Sequence, residues 1–564
     1  MMRLADKSWA DLSDRRPLVV LPLGSCEQHG PHLPLDTDHA VAQAVVERAA
    51  ALRRRRLRRM TRPRLLGTGA LAQLSGPPDT TLPNGFAVEL ADDVHRSRNG
   101  RLMLGGSPPR LLRLSASAAQ LLEPGRFVVA DAATAGLARR LVDIGVVHPR
   151  PSAHPPRDVT IVIPVRDRAN LLHQLLNGLR TDPETSSMPV LVIDDGSVNG
   201  AAVASVTSRH GATLLVHHRN QGPAAARNTG LRHARTTYVA FCDSDVLPES
   251  GWLSPLLAQF ADPAVALAAP RVVGIPNDHP GWIDRYDDVR PPLDIGAREA
   301  PIVPLSPVAY VPGATLVVRR AAVGCGFAPE LRTGEDVDLC LRLHNAGWRL
   351  RYVPRSRVGH QHRSNLRSWL AQRVSYGSGA AELARRHPGQ VPPLNAPAWS
   401  VAACALVLRA RPVPLGAGVA LTAVVAIRLI RRIPDADTPV RAGVLLTLAG
   451  VRGTAEQLVG CATRHYWPVA ALAALMSRRA RYMLIAGAAI EGLIDYRRKG
   501  SRLNALTYLV IRRLDDMAYG AGVWRGAIRG RTIAPLIPRL TPTKRYARTR
   551  LARTCRTGKD GPGC

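Results

Sequence analysis

The chain has 564 residues, enough for about three or four domains at ~150 residues each, which excludes a single-domain reading. Hydrophobic residues make up 46% and aromatics only 4%, so any core has to be built from Ala, Val and Leu. A formal net charge of +33 suits phosphorylated substrates or anionic lipid, whereas the lack of an RNA-binding or zinc-finger signature sets nucleic acid aside as a partner.

The amino-terminal stretch Met1 to Arg16 is polar and lacks the apolar centre of a secretory signal, so a cytosolic start is expected, with catalysis facing the cytoplasm. An apolar strand-like run (Pro17 to Leu23), a polar loop (Gly24 to Asp38) and an Ala/Val-rich helical segment follow. At Arg53 to Arg59 the chain turns almost purely basic, and Met60 comes directly after, in position to start everything downstream; a boundary is placed there. Residues 61–81 are rich in Gly, Pro and Thr and read as a linker. Short strands (Phe86 to Leu90, Leu102 to Leu104) then alternate with helices (Ser115 to Leu122, Ala132 to Ile144), which fits a small winged-helix-like module. The proline-rich stretch His148 to Pro156 is expected to be an extended linker, because proline forbids helix interiors and central strands.

From Val159 the apolar runs VTIVIPV, PVLVID, TLLVHH and YVAFCD alternate with helical segments, the pattern of a doubly wound α/β domain with a parallel sheet covered on both faces. Beyond about residue 395 come Ala/Val/Leu-rich segments, of which Pro412 to Ile427 is the longest without a charge. A spanning helix needs about 20 apolar residues, so none is a clear span. Flanking arginines point to interfacial or re-entrant helices on an anionic membrane surface, with a buried helical bundle as the alternative. Thr541 to Cys564 is basic and expected to be disordered. The organisation is thus 1–59, 60–156, 157–390, 391–540 and 541–564. Eight scattered cysteines without a C-x-x-C pair read as reduced thiols.

Among four D-x-D triplets only Asp243-Ser244-Asp245 directly follows an apolar strand, at the carboxyl end where open parallel sheets bind ligands. Two such carboxylates can hold Mn or Mg against a diphosphate, because hard divalent ions take oxygen ligands and leave positions for phosphate. Asp194-Asp195 closes a second strand and Asp167 a first, so three strands end in carboxylates on one rim, and like charges gathered there need a cation or donors to offset them. Arg227, opening a helix of small residues after Gly222-Pro223, is placed to contact a nucleotide or phosphate; a plain surface arginine is the alternative. Glu335 and Asp336 begin a further helix, whose dipole is expected to favour the ionised form required of a general base. Its periodicity puts Val337, Cys340, Leu341 and Leu343 on the buried side and Asp338, Arg342 and Asn345 on the wet side.

The series VTIVIPVRD, VIDDGS, GPAAARNTG, FCDSDV, PGATLVVRR and TGEDVDLCLRLHNAGWRL resembles the family 2 glycosyltransferases over about 200 residues. The resemblance implies a GT-A fold and a UDP-sugar donor, with Pro164, Asp167, Asp195, Arg227 and Asp243 on the donor, Asp243 and Asp245 on ribose and metal, and Asp336 as catalytic base beside Glu335. Inversion at the anomeric carbon would follow. His360 falls where relatives place a further metal or diphosphate ligand, with a structural histidine as the alternative. Gln372-Arg373-Val374-Ser375-Tyr376 departs from the Q-x-x-R-W pattern of processive members.

Residues 60 to about 540, with GFAVEL, LGGSPPRLLRLS and GLARRLVDIGVVHPRP, are similar to the mycofactocin-system glycosyltransferases, which implies a peptide-derived cofactor precursor as acceptor and glucose as the sugar. Their region before the catalytic domain is similar to peptide-recognition winged helices. Residues 18–50, with LPLGSCEQHGPHLPLDTD, resemble the start of creatininase-like amidohydrolases, whose metal ligands would match Glu27, His29 and Asp38; most of that domain is missing, so an inactive remnant is expected. Competing expectations are a membrane-associated family 2 enzyme acting on an envelope glycan or lipid, and a non-catalytic scaffold that binds the precursor. The expected location is the cytoplasm or the cytoplasmic face of the membrane.

Overall fold

In the computed structural model, residues 74–542 are described, apart from 78, 152–157, 362–364 and 435. Glu27, His29 and Asp38 and the basic tail lie outside the described residues.

The small module consists of β1 (Ala87–Leu90), β2 (His95–Arg96), β3 (Leu102–Gly105), β4 (Arg110–Arg113), α1 (Ala116–Leu121), β5 (Arg126–Val128), α2 (Ala132–Asp143) and β6 (Val147–Pro149). Its strands form two antiparallel sheets, β5-β1-β6 and β2-β3-β4, around a core of Phe86, Val88, Met103, Leu114, Phe127, Leu141 and Val147. His148 and Pro149, expected in a linker, instead pair with β1. Pro149 is tolerated there because β6 is an edge strand and one side of it needs no ladder donor.

The catalytic sheet begins with β7 (Val159–Val165), α3 (Ala169–Thr181), β8 (Val190–Asp194), α4 (Gly200–Arg209), β9 (Thr213–Val216), α5 (Pro223–His233) and β10 (Tyr238–Cys242). These four strands are parallel neighbours in the order β10-β7-β8-β9. The expectation of a wholly parallel sheet fails beyond β10. There β11 (Val246–Pro248), β12 (Val265–Gly274), α6 (Trp282–Asp287), β13 (Ala300–Pro301), β14 (Thr315–Arg319), α7 (Glu335–Asn345) and β15 (Arg349–His360) complete a mixed sheet, β11-β15-β12-β14-β10-β7-β8-β9, with β13 on β15. A parallel neighbour needs a crossover of about a dozen residues or more. Only Asp243 to Asp245 separate β10 from β11, so β11 is delivered to the far edge, and β14 fills the place beside β10 antiparallel.

Helices α8 (Leu366–Ser378) and α9 (Ala380–Arg386) lead through β16 (Asn395–Pro397) into α10 (Ala398–Leu408), α11 (Pro412–Ile430), α12 (Pro439–Arg464), α13 (Trp467–Met476), α14 (Arg478–Lys499) and α15 (Ala505–Arg529), before β17 (Arg539–Thr541) returns to pair with β16. α15 lies against α8, and a buried network of Arg373, Asp287, Asp515 and Trp369 ties the helices to the catalytic domain. The segment from Pro412 runs on as α11 to Ile430, 19 residues at a mean hydropathy of 2.0, long and apolar enough to cross a membrane by length and composition alone. Only 6% of its apolar window is buried, and Val413, Val419, Leu445, Leu472 and Leu475 are also exposed, which is not the packing of a buried bundle.

Candidate functional site

The ends of β8, β7 and β10 are adjacent, so Asp195, Asp167 and Asp243 share one rim. Each is fixed differently. Asp195 is 5% exposed and fully engaged, accepting from the amides of Gln221 (2.9 Å) and Gly222 (2.7 Å) and pairing with His217 (2.8 Å). It therefore holds the turn that starts α5. Asp167 sits at φ 55°, a conformation aspartate tolerates better than most residues, and accepts from Val198 (2.6 Å) while its amide donates to Ser197 (2.9 Å). Pro164 joins them in the wall of a cavity of about 1500 Å³.

Arg227 is not a surface residue: it is 2% exposed. Its guanidinium donates to Asp243 (2.6 Å) and Glu335 (2.8 Å) and lies over the Phe327 ring at 5.3 Å. Glu335 is thereby committed to orienting Arg227. Asp243 remains 31% accessible through the cavity, and burial together with Asp245 raises its carboxyl above the usual range despite Arg227.

Asp245 pairs with Arg168 and lies 3.7 Å from Nε2 of His360 on β15. Asp243, Asp245 and His360 all line the cavity, although among the described residues no three His, Cys, Asp or Glu side chains converge tightly enough to form a complete metal cage. An ion that keeps open positions for phosphate does not require one. A carboxylate and an imidazole on a cavity wall are a chemically fitting partial donor set for Mn or Mg.

Asp336 accepts from the amides of Gly313 (2.6 Å) and Val337 (2.8 Å) at the start of α7. The helix dipole was expected to favour its ionised form, yet its carboxyl is pushed up to about 6. Burial and the charge of Glu335 outweigh the two amides and Arg227. Asp338, expected on the wet side, is fully buried, because α9 covers that face and supplies Arg386, with His387 just beyond, to join Arg342 on its carboxylate. Gly313, Arg168 and His217 escaped the sequence reading. Only Arg168 left a signal, as a cation next to Asp167 in the loop after the first strand.

Strand-end carboxylates, a helix-borne acid opposite them and a cavity between them are the working parts of a GT-A glycosyltransferase. The family 2 glycosyl transferase model matches residues 160–325, and a creatinine amidohydrolase model matches residues 5–63. A "Pre-mycofactocin glycosyltransferase" of Mycobacterium tuberculosis is 44% identical over 477 residues, covering 82% of this chain and 99% of that protein. The chain belongs to the pre-mycofactocin glycosyltransferase family, within family 2. "Glycosyltransferase AglE" of Haloferax volcanii is 32% identical over 202 residues, 35% of this chain and 64% of its own. A solved mannosyltransferase from Pyrobaculum calidifontis, in complex with GDP-Man and Mn2+, aligns with a TM-score of 0.32 at 18% identity, covering 64% of this chain and 90% of that one.

Proposed function

We propose that this glycosyltransferase moves glucose from UDP-glucose to a peptide-derived cofactor precursor, with inversion and with the help of a divalent cation. The observation that carries the reading is Asp336 in one cavity with Asp243 and Asp245, a candidate base set opposite candidate donor and metal ligands. Asp336 takes the proton from an acceptor hydroxyl, the oxygen attacks the anomeric carbon from the face opposite the diphosphate, and the bond to the diphosphate oxygen breaks with its electron pair leaving on the nucleotide. A carboxyl raised towards neutrality suits this task, since a base works best with a pKa near the working pH. Asp195 keeps the Gln221–Gly222 turn in place for the nucleotide, and Arg227 keeps Asp243 aimed at the cavity. Asp245 and His360 would hold Mn or Mg, with Asp243 beside them. A bound divalent ion supplies positive charge to the departing diphosphate.

The name of the Mycobacterium tuberculosis relative supports the acceptor. The exposed apolar helices, flanked by Arg409, Arg411, Arg431, Arg432, Arg478 and Arg479, support work at the cytoplasmic face of an anionic membrane.

The test is nucleoside diphosphate release by the purified protein with manganese, UDP from UDP-glucose, UDP-galactose and UDP-N-acetylglucosamine and GDP from GDP-mannose, each with and without a mycofactocin precursor. Precursor-stimulated release from UDP-glucose is the expected result. No release from any donor would reject the catalytic reading in favour of a scaffold.

A further inference from the structure

The wall facing the strand rim comes from the helical region, where Arg464, the last residue of α12, lines the catalytic cavity with Tyr519 of α15 and with Tyr310. The guanidinium carbon of Arg464 sits 3.8 Å from the centroid of the Tyr519 ring. Of the other arginines on this cavity, Arg166, Arg168, Arg227, Arg290 and Arg373 are each paired with a carboxylate, and Arg332 has no ion pair among the described residues. Arg464 makes no ion pair or side-chain hydrogen bond among the described residues, and its Nε is buried without a partner.

The stack is held rigidly from behind. A side chain at Gly520 would come within 1.8 Å of the Arg464 carbonyl oxygen and 2.7 Å of the Trp467 ring, so the absence of one lets α15 press against the end of α12. The indole of Trp524 donates to the next carbonyl, His465, at 2.8 Å. Tyr310 and Asp336 line the same cavity as Arg464 and Tyr519, so the guanidinium and the proposed base face one common space.

A guanidinium stacked on a ring, partly desolvated and without a direct ion pair, the Asp516 carboxylate acting on it only at longer range, is a prepared site for a planar oxygen group, which its fixed fork of N–H donors matches in geometry. We propose that Arg464, seated on Tyr519, is a positioning residue for the acceptor, binding a carbonyl or carboxylate oxygen of it so that the acceptor hydroxyl reaches Asp336. The proposal rests on the reading of Asp336 as base. It assigns the helical region a share in acceptor choice.

The test is calorimetry of a peptide-derived precursor, in acid and amide forms, on the full chain loaded with UDP and manganese, with UDP binding measured separately. Arg464→Gln is expected to weaken precursor binding at least tenfold while UDP affinity moves less than twofold. Arg464→Lys, which keeps the charge but not the planar fork, should fall between the two. An equal loss on both forms identifies a carbonyl as the group bound, and a larger loss on the acid identifies a carboxylate. Precursor affinity within threefold of wild type, a parallel loss of UDP affinity, or a wild-type chain that binds neither form would overturn the proposal. Because binding is read without turnover, a wild type that binds precursor but transfers no sugar rejects the catalytic reading, and with it the alignment to Asp336, and leaves Arg464 as a precursor-binding residue only.

Discussion

Asp336 and Arg227 meet at the backbone of Gly313: its amide donates to Oδ2 of Asp336 at 2.6 Å, and its carbonyl accepts from Nη2 of Arg227 at 3.3 Å. The loop before β14 thus couples the proposed base on α7 to the arginine on α5 that holds Asp243. A Cβ at Gly313 would stand 3.1 Å from Cβ of Asp336 and 3.4 Å from Nη2 of Arg227. Gly313→Ala is therefore expected to displace both groups by tenths of an ångström and to lower kcat about tenfold, at a cost of roughly 1–3 kcal/mol for the overpacked contact. Steady-state kinetics with thermal unfolding checks this; a wild-type kcat would show that the loop yields without moving Asp336.

Asp336→Asn keeps the shape of the side chain and removes the proposed base. Transfer is expected to fall by about 10² to 10⁴, the usual size of a general-base contribution, with UDP affinity within threefold of wild type. Single-turnover transfer and UDP calorimetry on the same preparation check both halves. Transfer at the wild-type rate would remove Asp336 from the mechanism.

The raised carboxyl of Asp336 predicts a pH profile. Activity should decline as pH drops through about 6, by roughly tenfold per unit further down, because the protonated acid cannot accept the acceptor proton. Asp243 is raised as well, so the apparent value belongs to the group of carboxylates rather than to one of them. The sign for stability is opposite. A carboxyl that holds its proton more tightly in the folded chain disfavours folding above its folded pKa, and that cost is relieved as pH falls through about 6 toward the unfolded value near ~4. Rates and urea midpoints between pH 5 and 8 should therefore move in opposite directions from these groups.

Asp245→Ala is expected to weaken manganese-dependent UDP binding at least tenfold, and His360→Ala by a smaller factor, because the carboxylate carries charge and the imidazole only a lone pair. Chelation with EDTA should bring wild type to the level of Asp245→Ala. Donor affinities that do not respond to manganese or EDTA in wild type would dismiss the cation.

The first half of the catalytic sheet was legible because strands buried on both faces are continuous apolar runs, as in Val159 to Val165 and Tyr238 to Cys242. Asp243 was legible for the same reason, as a charge directly after such a run. What escaped depends on contacts distant in sequence. The burial of Arg227 is decided by Glu335, 108 positions later, and that of Asp338 by His387, 49 positions later. The grip of Gly313 on Asp336 is made by a backbone amide, which leaves no mark in a side-chain pattern. The raised carboxyl of Asp336 follows from the depth of a cavity that the local helix signal does not report.

The apolar helices give the last prediction. α11 has 19 residues, about 28 Å at ~1.5 Å per residue, close to the ~30 Å of a bilayer core. Val413, Val419 and Val424 on it are 81%, 59% and 43% exposed, and each valine withdrawn from water is worth roughly 1.5–3 kcal/mol. Nothing among the described residues covers that surface, whereas a lipid phase would, and the neighbouring arginines suit anionic headgroups at its boundary. The full chain is therefore expected to float with vesicles containing anionic lipid. Two independent contributions should separate in that assay: raised salt weakens the arginine attraction alone, and replacing the three valines by Ser weakens the apolar one alone. Flotation lost entirely in salt but untouched by the Ser variant would assign the attachment to charge and leave α11 on the surface. Retention through high salt and alkaline carbonate, abolished in the Ser variant, would place α11 within the apolar layer.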